Sequence, residues 1–121
     1  MNIQSYKELI VWQKSMVLCN QIYKITESFP QKEIFGLVSQ MRRCAVSIPS
    51  NIAEGTYRGS RKDFAQFLRI ARGSTAELET QLEISINQRF IVKKDVQDIE
   101  FLIEEVSKML SVLIKKLQTA H

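Results

Sequence analysis

The chain is poor in the residues that carry most enzyme chemistry. Its 121 positions hold one histidine, His121, which is the last residue, and two cysteines, Cys19 and Cys44, without CxxC spacing. A terminal histidine is frayed more readily than it is held as a general base, and it leaves no way to build the Glu-x-x-His ligand pairs of di-iron bundles. The cysteines read as small, reduced core residues, so no metal and no cofactor is expected. Only 4 glycines and 2 prolines are present, fewer than a many-stranded sandwich needs for its turns. No apolar run approaches the roughly 18 residues of a membrane span. The N-terminal stretch MNIQSYKELIVWQK carries charges at Lys7, Glu8 and Lys14 and no small-residue cleavage site, so it lacks the form of a secretory signal. The expectation is a cytoplasmic, helical protein.

What is present fits one globular domain over residues 1–121, with 45% hydrophobic and 25% charged side chains. Four amphipathic segments follow one another. Ser5-Tyr6-Lys7-Glu8 forms a capping box, and the spacing after it predicts a helix over residues 6–28. Its main apolar row is Leu9, Trp12, Met16, Cys19 and Tyr23. A second row, Val11, Leu18 and Ile25, repeats every seven residues on an adjoining face and predicts an oligomer interface. A second helix is expected from Glu33 to Glu54 on Leu37, Met41, Cys44, Ile48 and Ile52, with Gly55 as its stop. Pro49 lies inside it, and it either kinks the helix or breaks it before a new cap at Ser50 or Asn51.

The third helix opens at the Ser60 cap with Asp63 three residues on, and its seam is Phe64, Leu68, Ala71, Thr75, Leu78 and Leu82. The fourth, about residues 93–118, repeats that seam with Ile99, Ile103, Val106, Leu110, Leu113 and Leu117. Four such helices with short connections predict an all-α, up-down-up-down antiparallel bundle.

Charge is unevenly distributed. Residues 1–35 carry +1, residues 36–76 carry +5 and residues 77–121 carry −2, within a total of +4. On a helical wheel Arg61, Lys62, Arg69 and Arg72 share one arc of the third helix, away from its apolar row, and Glu79 and Glu83 continue the same face. Arg42 and Arg43 add cations on the second helix. The loop from Gly55 to Arg61 has three residues between its glycines and follows a helix, so it is no phosphate-binding loop of a nucleotide hydrolase. With Arg58, Arg61 and Lys62 beside a capped helix start, it remains a candidate anion site. Two readings of the stripe stand side by side. The arginines could track nucleic-acid phosphates, or they could pair with the glutamates across an interface between copies or helices. No aromatic interleaving of the kind used in single-strand stacking accompanies the stripe, apart from Tyr57. The pairs Glu79/Glu83 and Glu100/Glu104 lie off the apolar rows and read as a solvated acidic face.

Several stretches together carry a resemblance: Val11-Trp12-Gln13-Lys14, Phe29-Pro30, Glu33 to Leu37 (EIFGL), Gln40 to Ala45 (QMRRCA), Ser47 to Gly55 (SIPSNIAEG) and Gly73 to Leu82 (GSTAELETQL). In these the chain resembles the 23S rRNA intervening-sequence protein family over nearly its whole length. Many members have Ala where this chain has Cys44. The resemblance implies a four-helix bundle that assembles as a ring-like homopentamer. It also implies an association with RNA, since founding members are encoded within insertions in ribosomal RNA genes. Related accessory proteins of diversity-generating retroelements bind a reverse transcriptase and nucleic acid through a basic surface. The function expected from residues and resemblance is a non-enzymatic homo-oligomeric scaffold. It would bind structured RNA, or a nucleic-acid-processing protein with its RNA, through Arg42, Arg43, Arg58, Arg61, Lys62, Arg69 and Arg72. The alternative is a protein-interaction adaptor whose arginines serve the oligomer interface.

Overall fold

The computed structural model describes residues 5–119, so His121 and its expected fraying lie outside the described residues. Among these there are four long helices and no strand: α1 (Ile10–Thr26), α2 (Ser39–Thr56), α3 (Arg61–Asn87) and α4 (Gln97–Thr119). Each packs on the next in sequence and α4 returns to α1, which is the up-down-up-down arrangement. One core runs through all four, and its fully buried side chains include Leu18, Ile22, Met41, Ile48, Ile52, Leu68, Leu78, Val106 and Leu110.

The first helix begins later than its capping box suggests. Ser5 Oγ accepts from Lys7 N at 3.2 Å and Glu8 Oε2 from Ser5 N at 3.3 Å, but the box closes a 3-10 turn, Tyr6–Glu8. Leu9 is extended (φ −74°, ψ 123°), and α1 starts after it. The core-facing stripe of α1 is also rotated from the expected one. It comprises Val11, Ser15, Leu18, Cys19, Ile22 and Thr26, while Tyr23 is exposed. Ser15 Oγ donates to Trp12 O and Thr26 Oγ1 to Ile22 O, both at 2.7 Å. Hydroxyls satisfied by their own helix can enter a core, and counting them as polar misplaces the stripe. Val11, 4% exposed, and Leu18, fully buried, therefore hold the bundle together within one chain, and Ile25 is partly buried against the same core. The expectation that this row forms a surface for another copy is corrected for Leu18, which has no exposed surface, whereas Val11 keeps a place in the lining of a groove between α1 and α4.

The second segment is less regular at its start. A 3-10 turn (Gln31–Glu33) and a π-helical turn (Ile34–Val38) precede α2, with Gly36 outside helical geometry (φ −110°, ψ −111°). The helix then continues through the buried Pro49 without the restart at Ser50 or Asn51. Gly55 lies inside α2, and Tyr57 caps the helix. α3 matches expectation, with Ser60 Oγ accepting from Asp63 N at 3.1 Å. The whole seam from Phe64 to Leu82 is buried. A 3-10 turn (Lys93–Asp95) precedes α4, where Ile114 is buried and Leu113 only partly so.

Candidate nucleic-acid interface

The antiparallel contact between α3 and α4 sets the beginning of one beside the end of the other. Gly59, at φ +85°, turns the chain in the left-handed region that glycine favours, and Ser60 then caps α3. From the first turn of α3, Arg61 reaches across. Its Nε donates to Leu117 O at 3.5 Å and its Nη2 to Lys116 O at 3.4 Å, carbonyls in the last described turn of α4. Three turns on, Arg72 Nη1 donates to Ser111 Oγ at 3.3 Å. These contacts fix two members of the stripe against α4 and leave Lys62 exposed, with no hydrogen-bond or ion-pair partner among the described residues. Arg69 bonds only its neighbour Gln66, at 3.2 Å.

The same packing recruits cations that the helical wheel of α3 does not contain. Residues 108–119 of α4 include Lys108, Lys115 and Lys116 and no acid. With Arg58, Arg61, Lys62, Arg69 and Arg72 they place eight positive side chains on the α3-start, α4-end half of the bundle. Against these stand Glu54, paired with Arg58 at 3.2 Å, Glu104, paired with Lys108 at 2.9 Å, Asp63 in the first turn of α3, and Glu8, which lines a groove with Lys108 and Lys116. Both ion pairs are exposed i,i+4 contacts, each worth only about 0.3–0.5 kcal/mol, so a phosphate could displace them at little cost. The other end of the α3–α4 face carries Glu79, Glu83 and Glu100, with Lys93 lying 4.0 Å from Glu83 and 3.2 Å from Glu100. The reversal of sign along α3 is thus continued on α4. The acid-free run at residues 108–119 is visible in the sequence, and its meaning comes only from the antiparallel pairing.

Arg42 and Arg43 lie elsewhere. Arg42 Nε donates to Thr26 Oγ1 at 2.9 Å and Nη2 to Tyr23 O at 3.1 Å, with the guanidinium 4.7 Å from the Tyr23 ring centre. It ties the start of α2 to the end of α1, at the opposite end of the bundle from Arg58, Arg61 and Lys62. Arg43 is exposed beside it. Five of the seven cations expected at one surface are brought together and two are not.

Between α3 and α4 runs a groove of about 530 Å³ lined by Arg69, Arg72 and Lys108 but also by Glu79 and Glu104. Its mixed charge does not make an anion pocket. Among the described residues no cluster of three or more metal-ligating side chains occurs. Burial, reinforced by the Glu77 carboxylate, pushes the Cys44 thiol up to about 12, outweighing a backbone hydrogen bond at Leu78. The protonated thiol donates to Ser74 O at 3.1 Å, and Cys19 is also shifted up by burial. A nucleophilic thiol needs the opposite shift.

Fold and surface together define a class: a small four-helix-bundle protein whose distinguishing feature, among the described residues, is a polarised surface. Within that class, the chain belongs to the 23S rRNA-intervening sequence protein family, whose profile matches residues 7–112. It is similar to a crystal structure from Bacteroides thetaiotaomicron VPI-5482 described as a protein with unknown function from the S23 ribosomal protein family. The two are 30% identical, with a TM-score of 0.78, over 88% of this chain and 99% of that one. No curated protein matches. Among the described residues no helix is long and apolar enough to cross a membrane.

Proposed function

We propose that the protein is a non-enzymatic, homo-oligomeric scaffold that binds structured RNA through the basic end of its α3–α4 face. The observation that carries this reading is the meeting of two cationic segments, residues 58–72 and 108–116, through antiparallel packing. Surface guanidinium and ammonium groups bind phosphates and release counterions, giving affinity whose logarithm falls linearly with the logarithm of salt. A helix-backed array without base-reading groups recognises backbone and shape. Arg42 and Arg43 are left out of this interface. The name of the family supports the choice of RNA as ligand.

Self-association in this proposal rests mainly on exposed apolar side chains beyond the row first expected. Phe35 stands 98% exposed on the π-helical turn. A groove of about 500 Å³ between α1 and α4 is lined by Leu9, Ile10, Val11, Met109, Val112 and Leu113, with Glu8, Lys108 and Lys116 at its rim. The antiparallel register fixed by the Lys14–Glu105 pair at 3.0 Å sets exposed Val17 and Phe101 further along that face. A protruding ring and an apolar groove on different faces suit a head-to-tail contact between copies, the kind that closes into rings. This agrees with the homopentamer that the resemblance implies.

The test is binding of a labelled RNA hairpin, with solution mass measured in parallel. Arg69→Glu with Arg72→Glu is expected to weaken binding and flatten its salt dependence while the mass stays constant. Unchanged affinity and slope contradict the proposal, and a changed mass with background RNA binding shows the adaptor reading to be right.

A further inference from the structure

The basic end also gathers three aromatic rings that phosphate binding does not use. Tyr57, where α2 ends, is 76% exposed. Its ring centre lies 6.1 Å from that of Tyr6 at an interplanar angle of 66°, and Tyr6 lies 5.3 Å from Trp12 at 67°. Edge-to-face contacts of this kind orient a ring without covering it. The backing is well held. The capping box locks the turn that carries Tyr6, Gln13 Nε2 donates to Lys7 O at 2.8 Å, and the Tyr57 amide donates to Glu54 O at 3.1 Å. The next residue, Arg58, lies over Phe67 with 4.7 Å to the ring centre, and Arg61 and Lys62 follow.

Arg58, Arg61 and Lys62 at this corner already belong to the phosphate-binding segment, and the other charges around it, Lys7, Glu8, Glu54 and Asp63, add no further positive charge. A second phosphate track is therefore not what it offers. It offers an open, rigidly supported aromatic face beside cations, the combination that stacks a nucleotide base while the backbone is held next to it. We propose that Tyr57, supported by Tyr6 and Trp12, is a stacking platform for an unpaired base of the bound RNA. The protein then selects RNA with a loop, bulge or single-stranded end over a fully paired duplex. This inference rests on the nucleic-acid reading above.

The experiment compares a stem-loop RNA with a blunt duplex of the same stem, using the full chain, Tyr57→Ala and Tyr57→Phe. Stacking on one aromatic ring disappears on truncation, so Tyr57→Ala is expected to bind the stem-loop roughly tenfold more weakly. It should leave the duplex affinity and both salt slopes unchanged, because no charge is removed. Tyr57→Phe is expected to retain the preference, and fluorescence of Trp12, the only tryptophan, should respond to the stem-loop more than to the duplex. If Tyr57→Ala binds both RNAs as wild type does while Arg69→Glu with Arg72→Glu binds neither, the platform is wrong and the RNA reading stands. If the wild type binds neither RNA, both are wrong. A shift in solution mass in Tyr57→Ala would make this corner a contact between copies and overturn the platform.

Discussion

At Gly55 an added methyl group would lie 2.9 Å from both Phe64 Cδ1 and Phe67 Cβ, whereas at Gly73, also helical, nothing lies within 4 Å of the same position. Helix propensity favours Ala over Gly by about 1 kcal/mol at either site. Overpacking a well-filled contact costs about 1–3 kcal/mol, so the sign should differ between the two. Gly73→Ala is expected to stabilise the protein by about 0.5–1 kcal/mol and Gly55→Ala to destabilise it, as read from urea midpoints. Cys44 makes a pH-dependent prediction at the same scale. Its thiol ionises near 12 in the native state against an ordinary 9.0. Above pH 9 the unfolded chain releases a proton that the native chain retains, so stability falls as pH rises from about 9 towards 12. Cys44→Ala removes that component, and the difference between the two proteins' urea midpoints should narrow with rising pH across this window.

The helices themselves show which parts of the fold can be read from one sequence. α3 is legible from cap to seam because a serine cap and a 3-4 apolar row agree along its whole length. α1 is not, because Ser15 and Thr26 hide their hydroxyls against their own helix and shift the core stripe. The start of the second segment escapes the pattern because Gly36 leaves helical geometry between two helical turns. Four of the five cations on the α3 side are legible as one stripe, and Arg58 as part of the adjoining loop. Lys108, Lys115 and Lys116 are not, since a wheel drawn for one helix says nothing of its neighbour. The rotated stripe of α1 has a measurable consequence. Leu18→Ala is expected to cost about 2–5 kcal/mol of stability, the effect of truncating a fully buried leucine. A surface leucine would cost far less, and unfolding by urea distinguishes the two.

The whole molecule separates into three regions by what they carry: a core shared by four helices, apolar surface left for other copies, and charge collected at one end. Phe35→Glu is expected to lower the solution mass by light scattering while leaving helical content intact, because the ring is 98% exposed and supports no core contact. An unchanged mass would remove Phe35 from any interface between copies. The charge claim is tested most directly by two double variants with the same change in net charge at different places. Lys62→Gln with Lys115→Gln alters the basic end, and Lys24→Gln with Lys32→Gln alters exposed lysines away from it. In RNA binding measured across a salt series, the first pair is expected to weaken affinity and to reduce the log–log salt slope by about 0.7–0.9 for each phosphate the protein no longer neutralises. The second pair should follow the wild type. Equal weakening in both, or weakening only in the second, would contradict an RNA site at the end where α3 begins and α4 stops.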